Sequence, residues 1–208
     1  MIDVRSVLKC CEAPRIVMVG SWFDLFPSIP PTGSERLADD PSFLYWCIEP
    51  QDWCLNGAKG LPHDEDRWHF LPYAISDYDG QAPFLVSKVS DQSSSLRPYA
   101  CPSAVPFKTL PSVEVRRLDT LVEAGELPFS ANYVQIDAQG CSLDVIRGGS
   151  EFLNRCDMVY VEAEHLEIYK GEALWPEVKQ AMLDLGFTLE PSQQSGLDWD
   201  DFLFTKGL

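Results

Sequence analysis

Tyr133-Val-Gln-Ile-Asp-Ala-Gln-Gly-Cys-Ser-Leu-Asp-Val-Ile-Arg-Gly-Gly149 decides the fold. An apolar strand, Tyr133–Ile136, runs into an acid, Asp137, and then into a Gln139-Gly140 turn. A helix is expected from Ser142 to Asn154, placing Val145, Ile146, Gly149, Phe152 and Leu153 on one side. A carboxylate at the carboxyl end of a strand, beside a helix start, sits where open α/β sheets bind ligands.

Working outward, apolar runs of strand length alternate with amphipathic stretches, which is the pattern of βα units on a mainly parallel sheet. Strands are expected at Ile16–Val19, Phe43–Ile48 and Phe70–Ile75, with Asp79-Gly80 turning the chain into a returning hairpin strand at Ala82–Val89. Residues 90–112 are rich in Ser and Pro and read as a long irregular loop, of the kind that often covers a site. Leu118–Glu126 reads as a short helix and Met158–Val161 as a strand. Glu172–Leu185 reads as a helix capped by Gly186. Phe187–Leu189 and Phe202–Phe204 then form an antiparallel hairpin. The fold class is therefore α/β, a mainly parallel sheet closed by a C-terminal hairpin, in one domain over residues 1–208. Residues 1–15 are an extension, expected as a short helix on the sheet edge.

Composition narrows the partners. With 208 residues and 45% hydrophobic content the chain can bury a core without disulfides or metals. A net charge of −16 opposes a nucleic-acid backbone. No apolar run approaches the ~20 residues of a membrane span, and the amino terminus does not read as a secretory leader. The seven cysteines are scattered, with no two-residue spacing, so free thiols in a reducing cytoplasm are expected. Cys10-Cys11 is a poor chelating pair. His63 and His69 have no evident partners.

Five segments together resemble the FkbM-type S-adenosylmethionine-dependent methyltransferases, from about Phe43 onward. The central stretch is similar to that family's Lys-Ile-Asp-Val-Glu-Gly, with Gln135 for Lys and Gln139 for Glu while Asp137 and Gly140 match. Tyr73-Ala-Ile-Ser-Asp-Tyr-Asp-Gly80, Ser94-Ser-Leu96, Val115-Arg-Arg-Leu-Asp-Thr-Leu121 and Val161-Glu-Ala-Glu-His165 resemble its other motifs in the same order. The resemblance implies a Rossmann-like methyltransferase fold and S-adenosylmethionine as cofactor. It also implies transfer to a hydroxyl of a sugar or other small molecule. It places Gly20 and Ser21 in the cofactor loop and Glu49 at the ribose, where a carboxylate accepts from two hydroxyls. Ala74, Ile75 and Asp77 fall at the adenine, and Asp137 at the sulfonium-bearing end or the substrate. Asp77 serves equally well as a turn residue.

At the substrate side, Asp137, Gln139, Glu162 and His165 come from neighbouring strand ends, and His165 is the expected base because imidazole titrates near neutrality. Glu162, Glu164 and His165 with Asp137 would also suit a divalent cation, which leaves a metal-dependent hydrolase open. The first loop departs from the family's Val-Asp-Val-Gly-Ala-Asn-x-Gly. Met18 replaces the acid and Asp24 the last Gly, Trp22 adds bulk, and only about two turns of helix fit at Ser34–Asp40. Those departures, with Gln135 and Gln139, keep open a second reading: a methyltransferase-like domain without catalysis that binds a ligand or a protein.

Overall fold

A computed structural model describes residues 4–20, 42–59, 66–88, 93–101, 106–191 and 196–207. Ser21, Trp22, Asp24, His63, Val89 and the short helix expected at 34–40 lie outside the described residues. Strands β1 (Arg15–Val19), β2 (Leu44–Ile48), β3 (Trp68–Leu71), β7 (Tyr133–Ile136), β8 (Met158–Glu164), β9 (Thr188–Leu189) and β10 (Trp199–Thr205) form one sheet in the order β3-β2-β1-β7-β8-β10-β9. Its first five strands are mutually parallel, and β10 runs antiparallel to both β8 and β9. From β1 the chain steps outward to β2, through helix α2 (Asp52–Lys59) to β3, then returns to place β7 on the other flank of β1. The strand order thus reverses between β1 and β7, and ligands of open α/β sheets bind at the carboxyl ends of such a pair.

Alternation along each strand builds two cores. Val17, Val19, Val134, Ile136, Val159 and Val161 face helices α3 (Leu118–Glu123), α4 (Ser142–Gly148), α5 (Ser150–Leu153) and α6 (Trp175–Asp184). Ile16, Met18, Tyr45, Tyr133 and Met158 face the other way. There Val4 and Leu8 of α1 (Val4–Lys9) are fully buried among them. The N-terminal helix therefore covers a sheet face rather than the edge, because its apolar positions complete that second core.

Several expected elements take different shapes. Phe70–Ile75 is split at Pro72, which has no N–H to give and disfavours helix for the residue before it. Its first part belongs to β3, and its second, β4 (Ala74–Ile75), joins a small separate sheet. The strand after Asp79-Gly80, β5 (Gly80–Ser87), does not pair with β4. Both pair instead with β6 (Phe107–Arg116), in the order β4-β6-β5. The end of the supposed loop is therefore this ten-residue strand. Pro111 is accommodated because the register slips between Ala82 and Phe84, leaving it at a bulge where no ladder N–H is needed. The helix expected through Asn154 breaks at Gly149. Asp119, buried at the start of α3, accepts the N–H groups of Glu151 (3.3 Å) and Phe152 (2.8 Å) and so starts α5 afresh. Strand β8 runs three residues beyond Val161, to Glu164.

Candidate active site

Three strand ends meet at the reversal. Gly20 follows β1, Glu49 follows β2 and Asp137 follows β7. The N–H of Gly20 donates to Ile48 O, that of Glu49 to Leu71 O and that of Asp137 to Val19 O, all at 3.0 Å. Gly20 has φ +82°, and a Cβ there would lie 1.8 Å from the Asp137 carbonyl oxygen, so no other residue fits. The three residues line a cleft of about 560 Å³ including its open mouth, within the about 300–1,000 Å³ usual for small-molecule sites. Ala74 and Ile75 lie in its wall with Phe84 and Leu96, giving one apolar side. Glu49 is 5% exposed and accepts from the Gln51 N–H at 2.9 Å. Burial pushes its carboxyl up to about 7, against the bonds from Gln51 and with some help from Asp137. Asp77 is exposed and lies outside this wall.

A second cleft opens beyond, about 590 Å³ including its mouth, and Gln139 lines both. The Gln139 amide nitrogen donates to Asp137 Oδ1 (2.6 Å) and to Glu162 Oε1 (2.7 Å), while its oxygen accepts from the Tyr169 hydroxyl (2.5 Å). The tyrosine therefore fixes which way the amide points. Gln139 pays for this with φ +47°, and its carbonyl takes the Ser95 hydroxyl at 2.6 Å. Gly140 lets the Tyr169 ring lie directly on the turn, since a Cβ at 140 would come within 2.7 Å of it. Burial pushes both Asp137 and Glu162 up, and the two carboxyls hydrogen-bond each other as well. Repulsion between them opposes ionising both, so burial and like charge favour one shared proton on the pair.

Asp137, Gln139 and Glu162 are brought together by hydrogen bonds; Gly20, Glu49, Ala74 and Ile75 share the first cleft with Asp137 and Gln139, while Glu162 lines the second. The expected convergence does not extend to His165, which lines neither cleft. Its Nε2 pairs with Asp200 Oδ2 at 2.8 Å, and its ring stands edge-on to Phe202. Glu162 and His165 are three residues apart near the end of one strand, so they project to opposite faces. Among the described residues no group of three His, Cys, Asp or Glu side chains is arranged to hold a metal ion, including Glu162, Glu164 and His165 with Asp137.

Residues 36–189 match the methyltransferase FkbM domain. The chain belongs to that family. It is 31% identical over 175 residues to the 2-O-methyltransferase NoeI of Sinorhizobium fredii, covering 78% of this chain and 70% of that one. The crystal structure of methyltransferase FkbM from Methylobacillus flagellatus superposes over 94% of this chain with a TM-score of 0.59 at 11% identity, which speaks for the fold. This chain spans only 44% of that protein.

Membership in the FkbM family changes the weight of the sequence departures. Met18 and Gln135, the two positions that depart from the resembled strand motifs, are register partners on adjacent strands β1 and β7. Both positions alternate onto the α1 face, with Ile16 and Tyr133, and neither lines the cleft. The Gln135 side-chain oxygen is buried and has no hydrogen-bond partner among the described residues. Sequence reasoning passes over Tyr99, Tyr169 and Trp199 and takes Glu164 only as a candidate metal ligand; the four help build the second cleft. The two tyrosines lie in irregular chain and meet only through a bridge between residues 99 and 169, which no local pattern announces.

Proposed function

We propose that this FkbM-family chain transfers the methyl group of S-adenosylmethionine to a hydroxyl of a small molecule or sugar. The observation that carries the reading is the meeting of Gly20, Glu49 and Asp137 in one cleft that shares the Gln139 wall with a second. The residues present suit the cofactor. Glu49 is a buried carboxyl in the wall, and carboxylate oxygens accept two adjacent ribose hydroxyls. Ala74, Ile75, Phe84 and Leu96 supply an apolar wall for a base. When bound, the cofactor supplies an electrophilic methyl on a sulfonium centre.

The chain's own groups do the rest. Gly20 keeps the strand end free of side chain where the cofactor approaches. Asp137, ionised and supported by Gln139, accepts the proton that the acceptor hydroxyl loses as its oxygen takes the methyl group. Glu162 holds the proton that keeps this pair from carrying two charges, and Tyr169 keeps the Gln139 amide turned toward both carboxyls. His165, paired with Asp200 on the other face, takes no part. The relative's activity, a 2-O-methyl transfer, agrees in type. The non-catalytic alternative drew on Met18, Trp22 and Asp24 of the first loop with Gln135 and Gln139; Met18 and Gln135 stand outside the cleft, Gln139 has a bonded role within it, and Trp22 and Asp24 lie outside the described residues.

The test is turnover. The protein is incubated with methyl-labelled S-adenosylmethionine and a panel of hydroxylated acceptors, and S-adenosylhomocysteine is counted. Acceptor-dependent product that disappears in Asp137→Asn supports the reading; product formation untouched by that change removes Asp137 from the chemistry.

A further inference from the structure

The second cleft carries a statement about the acceptor that the family does not supply. Its walls combine three aromatic side chains, Tyr99, Tyr169 and Trp199, with the polar groups of Gln139, Glu162 and Glu164. Tyr99 and Tyr169 lie 4.8 Å apart between ring centroids, tilted at 49°, and Trp199 is 48% exposed at the mouth. Among the described residues that line the cleft there is no Lys, Arg or His. Glu164 is 2% exposed, and burial, with Glu172 nearby, pushes its carboxyl up to about 8. At neutral pH it carries a proton, so it can both donate to and accept from a hydroxyl. The neighbouring depression that shares Trp199 is lined by Asp198, Asp200 and Asp201. Leu166 and Leu197, 58% and 89% exposed, lie beside Asp198, whose carbonyl takes the N–H groups of His165 and Leu166.

Each of these facts bears on charge. A phosphate or carboxylate on the acceptor would be stripped of water with no cation to pair with, beside groups that become negative when they ionise. It would also lie next to a depression lined by three aspartates, on a chain of net charge −16. A neutral hydroxylated ring meets none of these costs. Its flat faces lie on the aromatic walls, and its hydroxyls find the carboxyls of Glu162 and Glu164.

We propose that the second cleft is the acceptor site and that it selects an uncharged hydroxylated ring, rejecting phosphorylated, nucleotide-activated and carboxylated forms of the same ring. This rests on the methyltransferase reading, and it places the reaction after any step that removes an activating phosphate from the acceptor.

The experiment uses the full chain at pH 7 and a charge series on one scaffold: uncharged methyl hexosides and pentosides, their phosphates, the matching uronides and the matching 2-amino sugars. Binding is read by saturation-transfer NMR and by the Trp199 indole signal. S-adenosylhomocysteine is titrated calorimetrically on the same samples. At least one uncharged glycoside is expected to bind at millimolar concentration, with its phosphate and uronide at least about tenfold weaker and its amine no tighter. Tyr99→Ala and Trp199→Ala should each weaken the glycoside by roughly tenfold and leave the S-adenosylhomocysteine affinity unchanged. Trp199→Arg should recover the uronide. Anionic forms that bind as tightly, an amine that binds more tightly, no glycoside binding at all, or binding indifferent to Tyr99 and Trp199 would each overturn the inference. Selective glycoside binding without S-adenosylhomocysteine binding would instead remove the methyltransferase reading and leave the cleft's selectivity standing.

Discussion

Replacing Glu49 by Gln isolates the buried carboxyl that lines the first cleft. A glutamine there is isosteric and can still accept the Gln51 N–H, so the local bonding survives. What the variant loses is titration. The folded-state value of Glu49, about 7, stands above the ordinary 4.5, with burial as the main cause. A raised carboxyl contributes stability below the unfolded value and loses it as pH rises through the folded one. Over the whole window the loss amounts to about 3 kcal/mol at ~1.4 kcal/mol per pH unit. Between pH 5.5 and 8, clear of the isoelectric point near 4.4, about 2 kcal/mol of it remains to be lost. The neutral amide loses nothing there. The stability of Glu49→Gln relative to the natural chain should therefore improve by about 2 kcal/mol from pH 5.5 to 8, or roughly 4–8 °C in the melting-temperature gap. Urea unfolding and thermal melts of both proteins across that range measure it. Other buried acids titrate in both proteins and cancel apart from the weak coupling of Asp137 to Glu49, so a gap that stays constant with pH would refute the argument.

Gly20→Ala should cost well over about 3 kcal/mol or abolish soluble expression, because its Cβ would overlap the Asp137 carbonyl. Gly125→Ala, at a similar φ of +75° but with nothing within 4 Å, should cost only about 1–2 kcal/mol; equal losses by urea unfolding would contradict the close approach. Gln139→Glu places a third carboxylate against Asp137 and Glu162 and should destabilise by roughly 3 kcal/mol, more at pH 8 than at pH 5.5 in thermal melts. Met18→Asp alone buries an unpaired charge at a cost of about 3–5 kcal/mol, and adding Gln135→Lys should recover part of it with a coupling of about 0.5–3 kcal/mol. Neither change should alter S-adenosylhomocysteine affinity, since both positions lie off the cleft.

Much of the fold is legible in the sequence wherever one local rule governs. Tyr133–Ile136 is found at its expected bounds because an apolar strand between Asn132 and Asp137 has no competing reading. Gly186, at φ +82°, ends the last helix as expected. Legibility fails where distant residues decide. The break at Gly149 depends on Asp119, thirty-odd residues earlier, capping a second helix start. The pairing of β4 and β5 through β6 depends on a strand hidden among prolines. The same holds in the site. Asp137, Glu49 and Gly20 are readable because each ends its own strand. His165 stands apart from the other candidates because β8 extends to Glu164, and strand alternation then separates it from Glu162. Gln139 reads as a weakened glutamate in sequence. In three dimensions its neutral amide joins two carboxyls and a tyrosine, a role that a glutamate's two acceptor oxygens could not fill.

Calorimetric titration of S-adenosylmethionine and S-adenosylhomocysteine into the natural chain and into Glu49→Ala tests the central claim most directly. Micromolar binding to the natural chain, lost in a Glu49→Ala protein that still unfolds cooperatively, is the predicted result. No heat and no thermal stabilisation of the natural chain at millimolar cofactor would contradict it.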